Sequence, residues 1–122
     1  MGLSAGEFKE LTVQSVSDEK RTLDYPDYGK ISLSDSSGYV GVRVHTCPSS
    51  GFDLTPAKNG EWVVKKPSAI SADGCSKRDD EQEFFLRTTE QLFDGRVTVS
   101  RDGEKVTFEH GAYEIVAAPQ GG

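Results

Sequence analysis

Between Asp80 and Phe93 the chain carries its one stretch of helical periodicity, so whatever it folds into must be sheet arranged around a single helix. The run contains no Gly or Pro. Phe84, Phe85, Thr88 and Leu92 share one face by the i, i+4, i+8 rule, and Leu86 and Phe93 flank it. Arg87, Glu90 and Gln91 face elsewhere. Ser76, Asp79 and Asp80 offer capping side chains, and Glu83, three residues after Asp80, completes an approximate capping box. Asp79, Asp80, Glu81 and Glu83 also match the positive end of the helix dipole. These acids could serve a divalent cation or a basic partner, but no calcium-loop spacing accompanies them, and a solvated helix start is the better reading. Asp94-Gly95 supplies the stop, because Gly tolerates the left-handed conformation at a helix end. The spacing predicts a helix over about 79–93 that lays phenylalanines on a core.

Val97 and Val99 then alternate before Asp102-Gly103, and Val106 and Phe108 alternate after it. A two-residue turn at Asp102-Gly103 would pair Arg101 with Glu104, Val99 with Val106 and Val97 with Phe108, so a hairpin is expected over 96–110. Upstream, Leu11 to Val16, Ile31 with Leu33, Tyr39 to His45 and Glu61 to Lys66 read as strands. Thr22 to Tyr28 contains Pro26 and suits a loop or an edge. Cys47 to Gly60 is expected to be loop, with at most a short strand at Phe52 to Leu54. A last strand falls over Ala112 to Ala117. Strands joined by short turns, with one helix, predict an α+β fold: a curled, barrel-like antiparallel sheet packed on that helix. With 122 residues, a single domain over 1–118 and a short flexible tail at 119–122 are expected.

The net charge is −6, and no basic cluster exceeds Lys65-Lys66 and Lys77-Arg78, which argues against nucleic acid as a partner. No apolar run reaches the length of a membrane span. No secretory signal pattern opens the chain, and Gly6 stands where an N-myristoylation start requires Ser or Thr. A cytoplasmic monomer is the expectation, with a mature exported form left open.

Cys47 and Cys75 stand at strand or loop ends and form the candidate thiol or disulfide pair. A zinc site would need His45, Cys47, Cys75 and His110 to converge, and only His45 and Cys47 are close in sequence, so no metal or other cofactor is expected. No serine elbow, phosphate-cradling glycine loop or dinucleotide fingerprint is present, and no catalytic residue is assigned. Tyr39, Trp62 and Tyr113 are the candidate ligand-binding residues, on the expectation that they line a small apolar pocket inside the curled sheet, with packed core as the plainer reading.

In this order the pieces resemble the META domain family, the bacterial HslJ-type heat-shock proteins and the kinetoplastid META proteins. Gly41-Val-Arg-Val-His-Thr-Cys47 stands where the family carries its first cysteine motif, and Ala69-Ile-Ser-Ala-Asp-Gly-Cys75 where it carries its second. Glu81 and Phe84 to Leu86 correspond to the family's helix start, and Arg96 to Phe108 to its closing strands. Pro48 replaces the family's asparagine. The resemblance covers roughly residues 31 to 116, most of one domain. It implies a compact barrel-like sheet with one helix, no established catalytic activity, and a role in stress or virulence exerted by binding. The partner is then an unknown protein or a small apolar ligand. Two alternatives remain: a calycin-like carrier of a small apolar molecule, and a thiol- or metal-dependent protein using Cys47 and Cys75.

Overall fold

A computed structural model of the chain describes residues 10–26, 29–36, 38–45, 50–65 and 80–119. In chain order these form β1 (Glu10–Ser17), β2 (Thr22–Asp24), β3 (Lys30–Ser36), β4 (Tyr39–Val44), β5 (Ser50–Pro56), β6 (Glu61–Lys65), α1 (Asp80–Leu92), β7 (Arg96–Asp102), β8 (Lys105–His110) and β9 (Tyr113–Pro119). Every pairing is antiparallel and runs between neighbours, and β9 returns to pair with β1. One edge of β1 is shared: β3 pairs with Glu10–Thr12 and β2 with Ser15–Ser17, so β2 and β3 together fill one strand position. Among the described residues the result is a closed, eight-strand, up-and-down antiparallel barrel with one helix, the closure leaving no long unpaired edge.

The inward residues show why the sheet closes. Ile31 and Leu33, Val40, Val42 and Val44, Phe52 and Leu54, Trp62 and Val64, Val106 and Phe108, and Ile115 and Ala117 are buried at alternate positions. In β1 the alternation breaks: Leu11 and Val13 are buried, and the next buried residue is Val16. A register shift against β9 between Val13 and Ser15 absorbs the extra residue and returns Val16 to the core. The Gln14 carbonyl accepts the Tyr25 N–H at this bulge (2.9 Å).

Helix α1 lies against β9, β8 and β1. Phe85, Leu86, Thr88, Thr89 and Leu92 are its buried residues. The Thr89 hydroxyl donates to the Phe85 carbonyl at 2.8 Å, which satisfies a buried polar group within the helix. Just past the helix, Phe93 stacks on Phe52 of β5 (centroids 4.7 Å, planes 18° apart) and tilts against Phe108 of β8 (5.5 Å, 55°). The helix thus delivers an aromatic ring into the barrel interior, and Gly95 (φ +79°) turns the chain out again.

Three sequence expectations need correction. The closing hairpin pairs Asp102 with Lys105, Arg101 with Val106 and Val99 with Phe108, so its turn is Gly103-Glu104. Gly103 has φ +65° and Glu104 does not take a positive φ, which is the pattern of a turn that wants Gly at its first central position. The shift is even, so the apolar residues keep their face and only change partners. The segment read as loop between Cys47 and Gly60 holds a seven-residue strand, β5, joined to β6 across Asn59-Gly60, both with positive φ. Strand β9 runs through Pro119, one residue beyond the expected domain end.

Candidate functional site

Tyr39, Trp62 and Tyr113 do not converge. Tyr39 is 39% exposed at the start of β4, while its neighbour Val40 turns inward. Trp62 faces the interior of the barrel, paired across the ladder with Pro56 and Val97. Tyr113 is half-buried at the start of β9, packed against the core and lining the cleft beside α1. Cys47 and Cys75 lie outside the described residues. His45, just past β4, and His110, ending β8, are separated by three strands in either direction around the barrel. His110 Nδ1 donates to the Arg96 carbonyl, and among the described residues no cluster of three His, Cys, Asp or Glu side chains could hold a metal.

A cleft of about 570 Å³ runs between α1, the turn after β1 and the start of β9. The β1–β2 turn is shaped by Asp18, whose Oδ1 accepts the N–H groups of Lys20 and Arg21 (both 2.8 Å). This turn aims Arg21 at the helix. Its guanidinium lies over the Phe84 ring, 4.7 Å from the centroid, and Nη1 donates to Asp80 Oδ2 at 2.9 Å. The ion pair is solvent-exposed and contributes little by itself; the ring face supplies the rest of the hold. Asp18, Asp80, Glu83 and Glu90 line the cleft against Arg21 and Arg87, leaving it acidic. Glu83 and Arg87 pair along the helix at 3.7 Å. The sequence marked the helix acids, but not that a turn some sixty residues earlier would bring them a guanidinium.

A second depression, about 410 Å³, lies on the outer face of β3, β4 and β5, where Gly41 and Gly51 carry no side chain. A Cβ at Gly41 would stand 2.7 Å from Ser34 Oγ, a side-chain tip that could rotate aside. Beside it, Ser32 Oγ and His45 Nε2 are 2.8 Å apart. The His45 pKa is held below the ordinary imidazole value, first by partial burial, then by Arg43, with Lys30 acting the same way and Glu10 opposing. The unfolded chain therefore takes up this proton first as pH falls. Stability should decline from about pH 6.5 downward through the lowered value, and His45→Gln should flatten that part of the curve in urea melts taken at stepped pH. No dependence on the substitution in that window would show that the ring is not held neutral.

Among the described residues, no helix is long and apolar enough to cross a membrane. Comparisons with protein-family models, with curated proteins and with solved structures find no match.

Proposed function

We propose that the chain is a META-like domain that acts by binding, and that its recognition surface is the acidic cleft beside α1, with a basic polypeptide segment as partner. The observation that carries this reading is Arg21. The chain's own guanidinium, seated on Phe84 and bonded to Asp80, displays the chemistry by which this surface holds a cation: an aromatic face and a carboxylate. Glu90 and Asp18 extend the same lining along the cleft. The element order, with five strand positions before the helix and a hairpin and a last strand after it, supports the META-like part of the proposal. A role in stress or virulence belongs to the same proposal.

A fluorescent hexa-arginine peptide, followed by polarisation, tests it. Binding is expected at low salt and should weaken toward about 0.15 M, where the screening length is near 8 Å. Asp80→Asn combined with Glu90→Gln should weaken it roughly threefold to tenfold, since each exposed pair is worth about 0.2–1 kcal/mol. Equal affinity of the wild type and this variant would remove the cleft from the account.

A calycin-like carrier of a small apolar ligand is the second reading, favoured by the closed eight-strand meander and its apolar inner face. A thiol- or metal-dependent role would rest on Cys47 and Cys75.

A further inference from the structure

The outer face of β3 and β4 gathers positive charge on a chain whose net charge is −6. Strand alternation puts Lys30 and Ser32 of β3, Arg43 of β4 and His45 just past it on this face, because Ile31, Val42 and Val44 turn inward and are buried. The ladder sets Arg43 opposite Ser32, and the His45 N–H donates to the Lys30 carbonyl at 2.8 Å. The four residues thus form a square of adjacent positions, about 5 Å apart across the strands and about 7 Å along them. Ser32 Oγ and His45 Nε2 meet along its diagonal, 2.8 Å apart. Arg43 and Lys30 make no ion pair among the described residues. Both act electrostatically on the His45 ring, as does one carboxylate, Glu10, which pairs across the ladder with Ser32. Gly51 faces Arg43, so no side chain from β5 rises at that point beside the guanidinium, and the depression opens there.

We infer that this square is a binding site for inorganic phosphate, taken up as the hydrogen phosphate dianion. Arg43 and Lys30 supply two fixed positive charges for a dianion, and the Arg43 guanidinium can donate two bonds to adjacent oxygens. The Ser32–His45 pair selects among anions. With His45 neutral, the Ser32 hydroxyl donates to Nε2 in the Nδ1-protonated tautomer. Hydrogen phosphate brings its own proton and takes over as donor to Nε2, which releases the Ser32 hydroxyl to donate to a phosphate oxygen. Sulfate and acetate carry no proton at neutral pH and cannot make this exchange. Glu10, and Asp53 two residues along β5 from Gly51 in the lining of the same depression, oppose the anion and limit its affinity. The site stands on a different wall of the barrel from the helix cleft and is independent of it.

The test is an amide-shift titration of the full chain with sodium phosphate at constant ionic strength, with sulfate and acetate beside it. Saturable shifts are expected at Lys30, Ser32, Arg43 and His45, with an upward move of the His45 titration when phosphate is present. Phosphate should bind about tenfold more weakly to Arg43→Ala, the scale of one charge-assisted hydrogen bond, and about threefold more weakly to Ser32→Ala. Glu10→Gln should bind it about threefold more tightly. All three side chains reach the outer face, and the unchanged amide spectrum of each variant away from the site checks its fold. Glycerol phosphate, mostly a proton-free dianion at neutral pH, should bind more weakly than inorganic phosphate, and equal or tighter binding would overturn the proton exchange. Shifts scattered over the surface, equal response to sulfate, or indifference to Arg43→Ala would each overturn the assignment.

Discussion

Phe93→Ala is expected to cost about 3–5 kcal/mol, enough to consume much of the stability of a domain this size. The residue is fully buried, and its ring, just past the end of α1, packs against both Phe52 and Phe108. Removing it takes away a large apolar surface and two ring contacts, and the closed barrel can collapse little around the space left. The strands cannot shift inward without breaking a ladder that closes on itself. The measurement is chemical denaturation at equilibrium, read by far-UV dichroism. A loss below about 1 kcal/mol would mean that the ring is not packed as described. The same variant separates the two readings of the barrel. An apolar environment-sensitive dye should ignore the wild type and bind Phe93→Ala in the cavity created. A dye that binds the wild type equally well would favour the carrier, because the interior would then hold free space of its own.

How much of this was legible in the sequence depends on whether the signal was local. Helix α1 was, because Phe85, Leu92 and the stop at Gly95 act within one segment. The inward faces of β3 and β4 were legible for the same reason, through Ile31 and Leu33 and through Val40, Val42 and Val44. The hairpin was legible in place and wrong in register, because Asp102-Gly103 and Gly103-Glu104 both put a glycine where φ is positive and differ by an even shift. Strand β5 was masked by its setting. Gly51 and Pro56 look like turn residues, yet Gly51 sits on the outer face and Pro56 at the strand's end, where the ladder makes few demands. The break between Val13 and Val16 was a readable sign of a bulge, since strict alternation would have exposed one of them. Of the two surface sites, only the helix acids of the cleft were legible, not what they meet. Arg21 meets Phe84, and Ser32 meets His45, only because the chain closes into a barrel and folds back on itself in this register. Tyr39, Trp62 and Tyr113 fail as one site for the same reason: aromatic type carries no information on which face, or which end, a side chain occupies.

Gly29→Ala should be the next most damaging change, costing about 1–3 kcal/mol through overpacking, although it adds one methyl group. Strand β1 has to accept two short partners on one edge, and Gly29 is where the chain re-enters after leaving β2. Its carbonyl accepts the Val13 N–H at 2.7 Å and its own N–H donates to the Pro26 carbonyl at 3.1 Å. An added Cβ would stand 2.7 Å from the Pro26 carbonyl oxygen, 3.1 Å from Pro26 Cγ and 3.2 Å from Val13 Cβ. Pro26 is buried and Val13 belongs to the core, so neither neighbour is a flexible tip that can swing aside. Relief must come from the backbone, at the expense of the bond that carries β1 past the gap between β2 and β3. Gly103→Ala is the informative comparison. There a Cβ meets nothing within 4 Å, and the strain comes only from φ +65°. That substitution should cost about 1 kcal/mol, the penalty for a left-handed alanine, and should leave the hydrogen exchange of β1 untouched. Gly29→Ala should instead speed exchange of the Val13 amide selectively. Equal losses in the two variants, with Val13 protected in both, would show that the junction tolerates a side chain and that β2 and β3 are held by their ladders alone.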